Sequence, residues 1–170
     1  WSFASSPLAS YKSYCWRARG KNASGWGPWS SAACFTTDFS GAADWTVAMA
    51  VSETGPARDT LRFGVKPGAT KGIDPGLGEF ELPPRKFGMF DTRFIGSAIG
   101  EGLLVDIRPF QSYGQVDTFM FEFQPGIGSY PIQLSWSSAF IQDVCDSALL
   151  TDNFGGLTVH VWMNEVSSAS

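Results

Sequence analysis

Lysine and arginine run out early in this chain: none of the twelve lies beyond Arg108. Residues 109–170 carry six acids instead, a balance of −6, whereas residues 1–108 stand at +2 and the whole chain at −4. A protein so arranged lacks the basic stripe that displaces counterions from nucleic acid, which excludes nucleic acid as a partner. The gradient is either a chance distribution or a bias that favours head-to-tail contact between copies. Charged residues make up only 16%, against roughly 25% in ordinary globular chains. Disordered chains, coiled coils and helical bundles all need more charge or fewer aromatics and glycines. No run approaches the roughly 18 apolar residues of a membrane helix, so no membrane insertion is expected. His160 is the only histidine, and no Gly-x-Ser-x-Gly elbow accompanies it, so a Ser-His-acid triad is not expected. One histidine and three scattered cysteines lack zinc-ligand spacing, and no spacing brings paired carboxylates across a cleft. The expectation is a non-enzyme without a cofactor. The sequence opens on Trp1 with no signal peptide and reads as a processed or partial product.

What the chain has in quantity is glycine (19), proline (10) and aromatics (15%), the makeup of an all-β protein with many turns and an aromatic core. Trp45, Val47, Met49 and Val51 alternate with small or polar residues, as do Leu61, Phe63 and Val65. Further strands are predicted at 88–95, 103–108, 115–124, 130–136, 140–144 and 157–163, and Ser147–Leu150 is given at most one helical turn. Phe119, Phe121 and Phe123 share a face, as do Ile132, Leu134 and Trp136. The predicted architecture is an antiparallel immunoglobulin-like or jelly-roll sandwich over 45–166. A linker at 38–44 and an N-terminal hairpin at 1–37 precede it.

In the hairpin, Tyr14, Trp16 and Ala18 alternate with Cys15, Arg17 and Arg19; Asn22–Pro28 is turn chemistry, and Ala33–Thr37 is the return strand. Cys15 and Cys34 are equidistant from that turn, so a symmetric hairpin sets them opposite one another. There cross-strand Cβ atoms lie about 4.5–5.5 Å apart, near the roughly 3.5–4.5 Å that a disulfide needs. Either a bridge forms, placing the chain in an oxidising compartment, or two thiols stay unpaired; Cys145 is left over as a small buried or half-buried hydrophobe. The run Tyr14-Cys15-Trp16-Arg17-Ala18-Arg19, followed by Gly25-Trp26-Gly27-Pro28-Trp29-Ser30, resembles the last two strands of a fibronectin type III domain. The likeness spans about residues 11–37 and implies that the hairpin belongs to an incomplete fibronectin type III-like unit.

Residues 65–86 form a long Pro- and Gly-rich stretch without periodicity, the kind of loop that is functional or disordered. Phe63-Gly64, Ala69-Thr70, Gly72, Asp74 and Glu79, followed by Pro83-Pro84, resemble a pattern in secreted and surface proteins of the Bacteroidetes and Chlorobi type. There it belongs to a β-sandwich module near a C-terminal secretion tail, which implies an extracellular or cell-surface location. Asp59-Thr60-Leu61 and Asp146-Ser147-Ala148 resemble the short O-glycosylation signal of that group, and Asn22-Ala23-Ser24 is formally a sequon. Asp74, Glu79 and Glu81 offer oxygen ligands of the kind calcium takes, without EF-hand spacing; a loop held by proline and backbone bonds is the other reading.

The functional expectation follows from the hairpin. A two-stranded ribbon is marginal alone, and its inner face of Tyr14, Trp16, Ala18, Ala33 and Phe35 needs a cover. The leading reading is a self-associating extracellular structural protein, a filament or surface subunit built by strand or hairpin exchange with other copies or neighbouring surface domains. The other reading is a carbohydrate-binding or adhesion module of a larger secreted protein, with Trp26, Trp29 or Trp162 stacking on polysaccharide. Against it stands the possibility that Trp26 and Trp29 stack on Arg17 and Arg19 within the hairpin.

Overall fold

A computed structural model describes residues 13–36, 44–112 and 114–170. Among the described residues the chain is all-β with one short α-helix, and it divides into two compact units, Trp1–Ser40 and Gly41–Ser170. The linker expected at 38–44 lies outside the described residues except for Asp44.

In the first unit β1 (Ser13–Trp16) pairs antiparallel with β4 (Ala33–Thr36), and β2 (Lys21–Asn22) with β3 (Gly25–Trp26). The second unit begins with β5 (Trp45–Ser52) and β6 (Arg58–Lys66), an eight-pair antiparallel ladder. β7 (Asp91–Phe94), β8 (Val105–Pro109), β9 (Phe121–Gln124) and β10 (Gln133–Ser135) follow, then the helix α1 (Ser138–Val144). β11 (Leu149–Thr151), β12 (His160–Trp162) and β13 (Ser168–Ala169) complete the unit. The main sheet has the order β13-β10-β5-β6-β8, while β7–β9 and β11–β12 are separate two-stranded sheets. The period-two pattern of β5 and β6 sends Val47, Met49, Val51, Leu61 and Phe63 into one core, each side chain contributing about 1.5–3 kcal/mol by leaving water. Phe94, Leu134, Trp136, Ile141, Leu150 and Met163 meet them there. Phe63, Phe94, Phe119 and Phe121 join by ring contacts of 5.1 to 6.4 Å. Gly64 admits the neighbouring strand at close range: a Cβ there would stand 1.9 Å from the Trp45 carbonyl oxygen.

Several expectations need correction. Residues 140–144, predicted as a strand, lie in α1. Ser137 caps it by accepting a hydrogen bond from the Phe140 amide at 3.2 Å, and Ile141 and Val144 are buried at helical spacing. The single turn allowed at 147–150 is instead the start of β11. Of 115–124 only Phe121–Gln124 is strand. Upstream, the Gln115 side chain accepts from the Gln111 amide (2.6 Å) and donates to the Pro109 carbonyl (3.1 Å), closing a loop instead of joining a ladder. The sheet is also not wholly antiparallel, because β6 and β8 pair in parallel.

The irregular segments are held by carboxylates that accept peptide N–H groups. Buried Glu53 accepts from Gly126 (2.7 Å) and Gly128 (3.1 Å). Asp152 accepts from the amides of Phe154, Gly156, Thr158 and Val159 and from the Thr158 hydroxyl, at 2.6 to 2.9 Å. Those bonds, the Thr158 hydroxyl first, hold the Asp152 carboxyl well below the usual carboxylate range. A depressed pKa contributes stability that is complete above the unfolded value, about 3.9, and is lost as pH falls through the folded one. Asp152→Asn is therefore expected to lower the melting temperature at neutral pH, with the gap to wild type closing only in strong acid. A pH series of thermal melts checks this; a gap that is already closed at about pH 5 would contradict it.

Candidate functional site

Pairing sets Tyr14 opposite Phe35, Cys15 opposite Cys34 and Trp16 opposite Ala33. Cys15 and Cys34 are joined by a disulfide. Beyond β1 the two arms remain in register: the Ala18 carbonyl accepts from Ser30 N at 2.8 Å, the Ser30 hydroxyl accepts from Ala18 N at 3.0 Å, and Gly27 N donates to the Gly20 carbonyl at 2.9 Å. At the tip the Asn22 side-chain oxygen accepts from Ser24 N at 2.9 Å, so the sequon residue also closes the turn.

The arms carry an alternating stack of cations and indoles. Arg17 lies over Trp29 at 5.4 Å, Arg19 over Trp29 at 4.4 Å and over Trp26 at 4.3 Å, and Lys21 over Trp26 at 5.4 Å. Each such contact is worth about 0.5–1 kcal/mol at an exposed site. A sugar stacking on the cation-covered side of Trp26 or Trp29 would have to compete with these cations, although the two rings remain 56% and 51% exposed. The Tyr14 and Phe35 rings stack at 5.9 Å. Trp16 is nevertheless 57% exposed and Phe35 45%, with Ala18 and Ala33 exposed beside them and Tyr14 half-buried.

Each of the three loop carboxylates accepts hydrogen bonds from peptide N–H groups. Glu79 is wholly buried, its two oxygens accepting from the amides of Asp74 and Ile107, each at 2.6 Å. Asp74 accepts from Thr70 N (2.6 Å), and Glu81 accepts from Glu101 N (2.9 Å). This is the loop held by backbone bonds, with a single 3₁₀ turn at Pro75–Leu77. Burial pushes the Glu79 carboxyl up, and the Asp106 carboxyl likewise, against the pull of Arg108. Among the described residues no three His, Cys, Asp or Glu side chains form a group able to hold a metal ion.

His160 is exposed on β12, opposite Thr151, with its ring edge-on to Trp162. Cys145 is half-buried, its Sγ donating to the Ile141 carbonyl at 3.4 Å, and burial raises its thiol pKa. Asp59-Thr60-Leu61 lies inside β6, with Leu61 wholly buried. Asp146 and Ser147 are exposed between α1 and β11.

Sequence reasoning missed the buried Arg93, which binds the carboxylate of Asp91 and the carbonyls of Pro83 (3.0 Å) and Glu101 (2.8 Å). The available signal was Asp91-x-Arg93 on one strand face. It named Trp162 but missed exposed Leu149, its partner in register across β11 and β12; strict alternation with buried Leu150 was the clue. No family model, curated protein or solved structure matches this chain. No described helix is long and apolar enough to cross a membrane.

Proposed function

We propose that this chain is a non-enzymatic extracellular structural or surface protein that associates with further copies of itself, the hairpin at 13–36 being covered by a neighbouring molecule. The observation that carries the reading is the exposure of Trp16 (57%) and Phe35 (45%) on the inner face of a disulfide-braced ribbon. Large apolar side chains grouped on one exposed face mark an interaction surface, and the disulfide supports an oxidising compartment. The buried and loop-holding carboxylates, the groups best placed for acid–base work, are committed to peptide N–H donors.

Sedimentation of the full chain over a concentration series tests the reading. Wild type is expected to gain mass with concentration. Trp16→Ser with Phe35→Ser, which leaves the disulfide and the cation–indole stack in place, is expected to weaken association about tenfold or more. Equal association by both proteins would defeat the proposal. The carbohydrate-binding reading keeps Trp162, 42% exposed, together with the cation-stacked Trp26 (56%) and Trp29 (51%); saturable quenching of tryptophan fluorescence by a polysaccharide is the result that would favour it.

A further inference from the structure

Within the second unit, residues 136–167 make up a C-terminal lobe that shares the main core through Trp136, Ile141, Leu150 and Met163. The Trp136 indole donates to the Met163 carbonyl, Met163 N to the Ala148 carbonyl, and Trp136 N to the Ser167 carbonyl, at 2.8 to 3.0 Å. The lobe contains Asp143, Asp146, Asp152 and Glu165 and no lysine or arginine. On its surface Leu149 (42% exposed) faces Trp162 (42%) across the β11–β12 ribbon, and Val166 (44%) sits one turn beyond, its amide donating to the Trp162 carbonyl. Asp146 and Glu165 flank this apolar patch in sequence; both are exposed and neither has an ion-pair partner among the described residues.

Building on the self-association reading, we infer that this patch is the receptor for the hairpin of a second copy. Charge complementarity argues for that occupant. Residues 13–36 carry Arg17, Arg19 and Lys21 and no acid; these cations stack on Trp26 and Trp29, on the ribbon face opposite exposed Trp16 and Phe35. Lobe against lobe would oppose acids, and hairpin against hairpin would oppose cations. Hairpin against lobe brings a segment with three cations and no acid to one with four acids and no lysine or arginine, the pairing that net charge favours over the other two. The contact is heterologous, so a joined pair keeps one free hairpin and one free lobe, and the assembly grows as a ring or a filament. A second exposed apolar region, with Ile127 (93%) and Phe87 (102%), follows Arg85 and Lys86 in the chain and lacks the uniformly acidic setting.

The test uses the full chain in the same sedimentation series. Asp146→Lys with Glu165→Lys changes two exposed, unpaired side chains, so folding, checked by thermal melt, is expected to persist. This variant is expected to weaken association about tenfold or more through like-charge contact, and wild-type association is expected to weaken as ionic strength rises from about 0.15 M toward 1 M. Ile127→Ser is expected to stay within about twofold of wild type. If the charge reversal has no effect while Trp16→Ser with Phe35→Ser abolishes association, self-association stands and this receptor surface falls. An Ile127→Ser loss as large as that of the charge reversal also overturns the inference, because association then reflects general stickiness. If wild type stays monomeric throughout, the self-association reading fails and the receptor surface goes with it.

Discussion

Arg93→Met is expected to lower the unfolding free energy by about 3–5 kcal/mol, the usual cost of breaking a buried ion pair from one side. Arg93 is only 2% exposed. Its guanidinium donates from Nε to Asp91 Oδ1 at 2.7 Å and from its terminal nitrogens to Asp91 Oδ2 and the carbonyls of Pro83 and Glu101. The hydrogen bond to Asp91 raises the Arg93 pKa against the opposing effect of burial, so the group stays charged. Methionine fills part of the volume but leaves two carbonyls and a carboxylate short of partners. Arg85, 3.4 Å from Asp91, relieves the carboxylate in part. Adding Asp91→Leu to Arg93→Met is therefore expected to cost less than the sum of the single changes, since the pair acts as one unit. Chemical denaturation measures all three. A loss below about 1 kcal/mol for Arg93→Met would show that water reaches this site.

Glu79→Ala is expected to cost about 2–5 kcal/mol, because it strips the acceptor from two peptide N–H groups, each worth roughly 1–3 kcal/mol when left unpaired in the interior. One N–H belongs to Asp74 in the irregular segment and the other to Ile107 in β8, so the same side chain fastens loop to sheet. Burial raises the Glu79 pKa, with the charges of Asp106 and Asp74 adding to the rise and the two N–H bonds opposing it. A raised carboxyl holds its proton to higher pH when folded than when unfolded. Its contribution is therefore complete below the unfolded value, about 4.3, and shrinks as pH climbs through the folded one. The gap between wild type and Glu79→Ala is expected to be wider at about pH 4 than at about pH 7; denaturation at both values checks the sign, and the opposite trend would contradict it.

Much of the fold was legible because its strongest strands carry period-two patterns with one buried face. β5 and β6 follow the alternation from Trp45 to Val65 closely, and the spacing of Cys15 and Cys34 about their turn sets them directly opposite one another. Misreadings fell where short-range chemistry overrides the apolar pattern. The apolar run Phe140-Ile141 looks like strand until the Ser137 cap and the three-residue step from Ile141 to Val144 are weighed together. Residues 115–120 look like strand until Gln115 satisfies the backbone of 109–112 from its side chain.

The candidate site was less legible than the fold. Tyr14, Trp16, Ala18 and Phe35 were marked by alternation alone. Whether Trp26 and Trp29 are free depends on where the long Arg17, Arg19 and Lys21 side chains lie, which spacing along the chain does not determine. The acidic patch at Leu149 and Trp162 depends on two segments brought together by a turn that Asp152 closes. Carboxylates such as Glu53 and Glu79 look like surface charge in sequence, because the amides they accept from are up to 75 residues away.

Hydroxyl-radical footprinting of Trp16 and Phe35 across a dilution series tests the account most directly, since it reads whether another molecule covers those two side chains. Both are expected to be protected at high protein concentration and to become reactive on dilution, while Phe87 stays reactive throughout. Reactivity at Trp16 and Phe35 that is high and unchanged at every concentration would contradict the account.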